Sequence, residues 1–377
     1  MQHGKYRVAL QFFGRFKNFL ETNNLKDKEW VDVSRRIVYS NLQLRRYEDA
    51  EAQLEEIIRQ FLRQKANYAL VYSAYSDLLT HCLKYNLNKA ILLGKALLSE
   101  MQRENVPLGY QKQFLYFLGT AYLLKENYTD AKLRLRECLA SDPSNQLKGW
   151  AYNSLAVASW WHKFPSLREF VSDDEEETGP QQSDIPAENI DADFENVIPL
   201  FKKSIYYIEH SNNQIKTGLE WLLNEDLLPQ DRTNLTKTQF KSLHVGKPLL
   251  NLSEFVLNKA PSKRAELQFW LKTTINFYEE QDPTNMDRSL LFLAWMCSTN
   301  KYFDRAESMY RIVLQMLENS DSYNKVLCMQ LLGSMLKKMP NRGSEGEQLI
   351  IKAQQIAEEL PYWSNRQVHV IVPDFEI

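Results

Sequence analysis

The chain has 377 residues, 44% of them apolar and 12% aromatic, and a formal net charge of -2. It is long and apolar enough for two or three compact domains or one elongated array, and its charge gives no reason to expect nucleic acid or an anionic membrane as partner. Gly (12) and Pro (13) are scarce, which disfavours a β-rich protein with many tight turns.

Residues 1–24 open on "MQHGKYRVALQFFGRFKNFL", which carries Lys5, Arg7, Arg15 and Lys17 and no acid before Glu21. At helical spacing Tyr6, Leu10, Phe13, Phe16 and Leu20 share one side, with Arg7, Gln11, Arg15 and Asn18 opposite. A basic amphipathic start suits a mitochondrial transit peptide. It equally suits the first helix of a fold.

From residue 25 onward apolar residues recur at i, i+3, i+4 and i+7, so the chain reads as all-α. The clearest stretch is Phe114–Pro143, "FLYFLGTAYLLKENYTDAKLRLRECLASDP". Leu118-Gly119 is followed by Tyr122, Ala131, Leu135, Cys138 and Pro143, at offsets of 3, 12, 16, 19 and 24 from the glycine. Small residues at Gly119 and Ala131 let two helices approach, Leu135 and Cys138 face the first helix, and Pro143 stops the second. This pattern resembles the tetratricopeptide repeat, a helix–turn–helix unit of about 34 residues. The resemblance implies a right-handed solenoid of helical hairpins.

The offsets recur. Val38, Ala50, Leu54 and Ile57 hold them early, and Leu78 and Ala90 partly do. Leu155-Ala156 begins another unit, but its second-helix positions reappear only at Phe201 and Ser204. The segment 165–195 is therefore an insertion inside one repeat rather than a boundary. It is acidic, with no base between Arg168 and Lys202 and with Pro180 and Pro186, so it is expected to stay disordered. Its run Asp173, Asp174, Glu175, Glu176, Glu177 could contact a basic partner, and Ser172 before that run has the form of an acid-directed kinase site. Of Trp160 and Trp161, neighbours about 100° apart on a helix, only one is expected to point inward.

These units make a first repeat block over 25–215. Residues 216–261, broken by Pro229, Gly246 and Pro248, read as an irregular connector of short helices. A second block over 262–362 contains Ala294, Ala306, Tyr310 and Val313 at the repeat offsets. It also contains Leu332-Gly333, whose second helix is shifted by a proline-containing turn. Residues 363–377, "WSNRQVHVIVPDFEI", are β-branched and read as an extended tail that caps the array.

The chain carries no phosphate-cradling glycine loop, HExxH, GxSxG or CxxC pattern. Cys82, Cys138, Cys297 and Cys328 stand alone and read as reduced, buried thiols of an intracellular protein. The six histidines are dispersed and read as structural. No enzyme, metal or cofactor is expected. The longest purely apolar run, Leu290–Cys297, falls far short of the ~20 residues that span a bilayer.

The resemblance implies a concave groove lined by first helices, with Tyr116, Thr120, Asn153, Val157, Leu291 and Trp295 in the facing positions. Repeat proteins that grip a chaperone's C-terminal carboxylate place Lys and Asn there, and only Asn153 partly matches. The implied groove is apolar and aromatic, suited to helices or hydrophobic segments. The expected function is a non-catalytic scaffold binding other protein chains, a structural or assembly subunit of a large complex. The alternative is a cytosolic adaptor or co-chaperone-like module that takes up a peptide motif. A mitochondrial complex fits the basic start; otherwise the cytoplasm does.

Overall fold

The structure is a computed structural model that describes residues 2–23, 28–163, 187–211, 242–259, 264–281, 286–318 and 322–360. Among the described residues there is no strand. The contacts divide the chain into two compact units, Met1–Tyr122 and one that begins at Leu123, and within each unit helices pack on their neighbours in the chain.

The first unit holds α1 (Gln2–Thr22), α2 (Lys28–Gln43), α3 (Tyr47–Arg63), α4 (Tyr68–Tyr85), α5 (Leu87–Arg103) and most of α6 (Leu108–Leu124). α1 docks on α2 and α3. Lys17 Nζ donates to Glu56 Oε2 (2.6 Å) and Gln53 Oε1 (3.1 Å), and lies 5.0 Å from the centre of the Trp30 ring. The helix is thus an integral part of this unit. The first helices of successive pairs begin at Lys28, Tyr68 and Leu108, 40 residues apart rather than the ~34 of the repeat it resembles. The difference lies in longer helices, since α2 to α5 run 16, 17, 18 and 17 residues.

The second unit holds α7 (Tyr128–Ala140), α8 (Asn145–Lys163), α9 (Ala187–Glu209), α10 (Gly246–Lys259), α11 (Arg264–Gln281), α12 (Asp287–Thr299), α13 (Phe303–Met316), α14 (Tyr323–Lys337) and α15 (Gly343–Glu359). α8 and α9 pack on each other, so the insertion does separate two helices of one hairpin. It is shorter than expected, because α9 begins at Ala187. Ile190, Phe194, Val197 and Phe201 already follow helical spacing there. Pro199 lies inside α9 without ending it. Burial of Val197, Ile198, Phe201, Ile205 and Ile208 outweighs the lost backbone bond. The acidic run Asp173–Glu177, the stretch 212–241 and the tail 363–377 lie outside the described residues.

The expected break at Gly246 and Pro248 is instead a helix start. A short 3-10 turn, Leu243–Val245, leads into α10, and Pro248 occupies its first turn, where no intrahelical N–H bond is lost. α10 then packs on α9, α11 and α12.

Local chemistry explains the helix ends. Asn67, Asn86, Asn127 and Ser322 cap α4, α5, α7 and α14 by accepting from Leu70, Lys89, Asp130 and Lys325 N–H groups. A left-handed residue stands in the turn after α2, α6, α12 and α14: Arg45 (φ 58°), Glu126 (φ 65°), Lys301 (φ 65°) and Asn341 (φ 60°). In two of them the next N–H closes a six-residue loop, Arg46 N to Asn41 O and Tyr302 N to Cys297 O, both 2.9 Å.

Candidate functional site

Five residues after each of those left-handed turns stands a small buried residue: Ala50, Ala131, Ala306 and Gly346. Where both helices belong to one unit, at Ala50, Ala306 and Gly346, the turn reverses the chain and the small residue lets the second helix come back close. The late units show the result. Leu291, Ala294, Ala306, Tyr310, Val313, Leu327, Cys328, Leu332, Met335 and Leu336 form one apolar cluster across α12, α13 and α14. Between α14 and α15, a Cβ built on Gly333 would lie 2.7 Å from Gly346 O, and one on Gly346 2.5 Å from Gly333 O. The proline-containing turn adds one residue, so this pair is spaced 13 apart where Ala294 and Ala306 are 12 apart.

In the interrupted hairpin α8 and α9 come close at Gly149, about two turns before the expected Ala156. Ser204 Oγ donates to Gly149 O at 2.7 Å, and a Cβ there would meet Ile208 Cγ1 at 2.4 Å. Leu155, Ala156 and Phe201 are buried nearby in the same two helices. Leu118, Gly119, Tyr122, Ala131, Leu135 and Cys138 are all buried as well. The first three belong to the first unit and the last three to the second. Within the first unit α5 meets α6 where Gly94 faces Leu118, with 3.4 Å left for a Cβ.

The residues expected to line an open groove are elsewhere. Tyr116, Thr120, Asn153, Val157 and Leu291 are fully buried, and Trp295 is half-buried. Leu291 is part of the α12–α14 core. Asn153 is closed over by α10, whose Asn251 Nδ2 donates to Asn153 Oδ1 at 2.9 Å. The middle segment therefore fills the face of α8 that a bare solenoid would leave open. The same packing corrects the tryptophan expectation. Trp160 and Trp161 are both buried, and Trp160 meets Phe255 of α10 edge-on at 5.5 Å. A helix enclosed by α7, α9 and α10 has more than one inward direction.

α10 also carries charge into the interior. Glu254 Oε2 accepts from Arg288 Nη2 of α12 at 2.5 Å, and both side chains are almost wholly buried. Ser253 and Thr274 hydroxyls pair at 3.1 Å, and Asn324 Nδ2 donates to Asp287 at 2.9 Å. These hydrogen bonds offset part of the cost of burying the groups that make them. Burial pushes the Cys82 and Cys328 thiols up to about 12, which leaves them protonated and unreactive at neutral pH. His81 is buried beside Glu51 (3.8 Å), and its pKa is lowered, chiefly by burial. Among the described residues no three His, Cys, Asp or Glu side chains converge as metal ligands, and no helix is long and apolar enough to cross a membrane.

One surface escaped the sequence reading. On α1, Tyr6 and Phe13 touch Tyr39 and Arg36 of α2, and Leu20 is buried. Val8, Phe12, Phe16 and Phe19 are exposed, at 67, 65, 39 and 56%. Phe16 was placed with the docked side, whereas it belongs to a second apolar stripe. The signal was present in Phe12 and Phe19, which fall outside the first stripe. No protein-family model matches the sequence, and no curated protein matches it at a significant level.

Proposed function

We propose that the chain is a non-catalytic protein-binding scaffold, a right-handed solenoid of tetratricopeptide-like helix pairs that serves as a structural or assembly subunit of a larger complex. The observation that carries this reading is the repeated device of turn and seam. In the turns after four helices a left-handed residue is followed, five positions on, by a small buried residue. Such pairs stack against their neighbours and present the remaining helix faces to other chains. The tetratricopeptide-like type rests on the offsets around Gly119, Ala294 and Val38, with units longer than that family's usual repeat.

Burial of Tyr116, Thr120, Asn153, Val157 and Leu291 moves the partner contacts away from the groove positions to outward-facing residues. Asn153, hydrogen-bonded to Asn251, is not presented to a peptide carboxylate. A fixed assembly partner suits this arrangement better than exchange of short peptides through a groove. The test is affinity purification of the full chain at native expression, with chemical crosslinking and a native gel. The expected result is co-migration with a larger assembly and crosslinks to one recurring neighbour. A chain that runs as a monomer with no stoichiometric partner would overturn the reading.

A further inference from the structure

α1 has an apolar arc wider than its contacts need. Its inner side is occupied by α2 and α3. Its outer side presents Val8, Phe12, Phe16 and Phe19 at i, i+4, i+8 and i+11, the spacing by which one helix packs along another. At 100° per residue these four fall within an arc of roughly 80°. That is a seam for one neighbouring helix. The Phe16 and Phe19 rings lie parallel, 9° apart in plane with centres separated by 6.4 Å, and extend the stripe along the axis.

Cations border this seam. Lys5 lies on its N-terminal extension, and Arg15 stands three residues after Phe12 and four before Phe19; both are exposed, as is Arg7. Among the described residues no carboxylate pairs with any of the three. The two acids nearest the helix's inner side, Glu21 and Glu56, are engaged by Trp30 and Lys17. The outer face of α1 is thus apolar and purely cationic, whereas the whole chain carries a net charge of -2.

We infer that the outer face of α1 is a docking site for an amphipathic helix of another protein, with an apolar stripe flanked by Asp and Glu. The inference deepens the protein-binding reading above and rests on it. Charge complementarity selects the acidic flank, and the narrow arc selects a helix. An anionic bilayer fits less well. A helix lying in a membrane surface needs a broad apolar face and a Lys/Arg-rich polar one, whereas the outer polar side of α1 includes Gln11, Asn18 and Thr22. The negative chain is also repelled by such a surface.

The test uses the full chain and two labelled helical peptides that share one leucine stripe, flanked by Glu in one and by Lys in the other. Fluorescence anisotropy should show the Glu-flanked peptide binding more tightly. Phe12→Ser with Phe19→Ser should weaken it on the order of tenfold, while circular dichroism and Tm stay unchanged because both rings are exposed. Arg15→Glu should shift the preference toward the Lys-flanked peptide, and it carries the test if the double variant folds poorly. Four results overturn the proposal: no preference for Glu flanks; no effect of the variants; flotation with phosphatidylcholine–phosphatidylserine vesicles without peptide binding; or a concentration-dependent dimer that the Phe variants abolish. Failure here with a recurring crosslinked neighbour elsewhere on the chain would sink this site and leave the scaffold reading standing.

Discussion

Helices α14 and α8 carry the same cue, Leu332-Gly333 in one and Leu155-Ala156 in the other, and their surroundings differ. α14 meets α15 backbone to backbone, through Gly333 and Gly346, and its other side joins the apolar cluster with α12 and α13. α8 meets α9 through Gly149 and the Ser204 hydroxyl, and its far side is closed by α10 through the Asn153–Asn251 pair. The small residue sets how closely a hairpin closes. What covers the rest of the helix differs: α14 is covered by the apolar residues of the preceding α12 and α13, whereas α8 is covered by α10, distant in sequence, which sets a hydrogen-bonded amide pair beside the Trp160–Phe255 contact.

The strongest way to break this contrast is at the charge that α10 shares with α12. Arg288→Met leaves the Glu254 carboxylate buried without its guanidinium, and is expected to cost about 3–5 kcal/mol in urea unfolding. Glu254→Leu combined with Arg288→Met should recover most of that loss, since an apolar pair of similar size avoids desolvating two charges. A single variant that loses less than about 1 kcal/mol would mean that the pair is solvated, and that α10 does not seal the middle of this unit.

The late pair is tested by its glycines. Gly333→Ala must displace a backbone carbonyl, and is expected to cost about 1–3 kcal/mol from overpacking. Gly94→Ala is the comparison. Its Cβ would sit 3.4 Å from Leu118 Cδ1, an ordinary contact, and the gain of up to about 1 kcal/mol from replacing a helical glycine should offset any strain. Equal thermal shifts for the two variants would show that the α14–α15 seam is looser than its backbone distances say.

Legibility divides along the same line. The offsets of 12, 16 and 19 located Val38, Ala50, Leu54, Ile57, Ala294, Ala306, Tyr310 and Val313, all of which are buried. Those positions answer to contacts within one hairpin, which a local pattern encodes. The groove positions did not survive, because Asn153 and Val157 are covered by the chain itself and no spacing within α8 announces α10. Gly149, where Ser204 and Ile208 of α9 come against the α8 backbone, has no mark in the repeat offsets, which point to Ala156 instead. The outer stripe of α1 was hidden by a helical wheel that already had one satisfactory apolar side.

A smaller effect is expected at the pair that closes the α10–α8 contact. Asn251→Leu and Asn153→Leu each remove the hydrogen bond between the two buried amides, at a cost of about 1–2 kcal/mol. The double variant should lose less than the sum of the two, because both halves of the pair are then apolar. Strict additivity would show that the two amides are stabilised independently, and that α10 merely lies near α8.

The weakest and most exposed link ties α13 to α15. Arg342 bridges Glu307 (2.6 Å) and Glu345 (2.6 Å), and Arg311 reaches the same two carboxylates. Hydrogen bonds from Arg342, opposed by burial and aided by Arg311, hold the Glu307 carboxyl below its ordinary 4.5. A depressed carboxylate contributes stability that is full above the unfolded value and is lost as pH falls through the folded one. Glu307→Gln should therefore cost under about 1 kcal/mol at neutral pH, and the difference from the parent chain should shrink as pH drops below 4.5. Raised salt should shrink it too, because the network is open to solvent. A difference that persists unchanged from pH 7 to pH 3 would assign the loss to packing of the Glu307 side chain, and the late pairs would then owe their closure to apolar contacts and glycine alone.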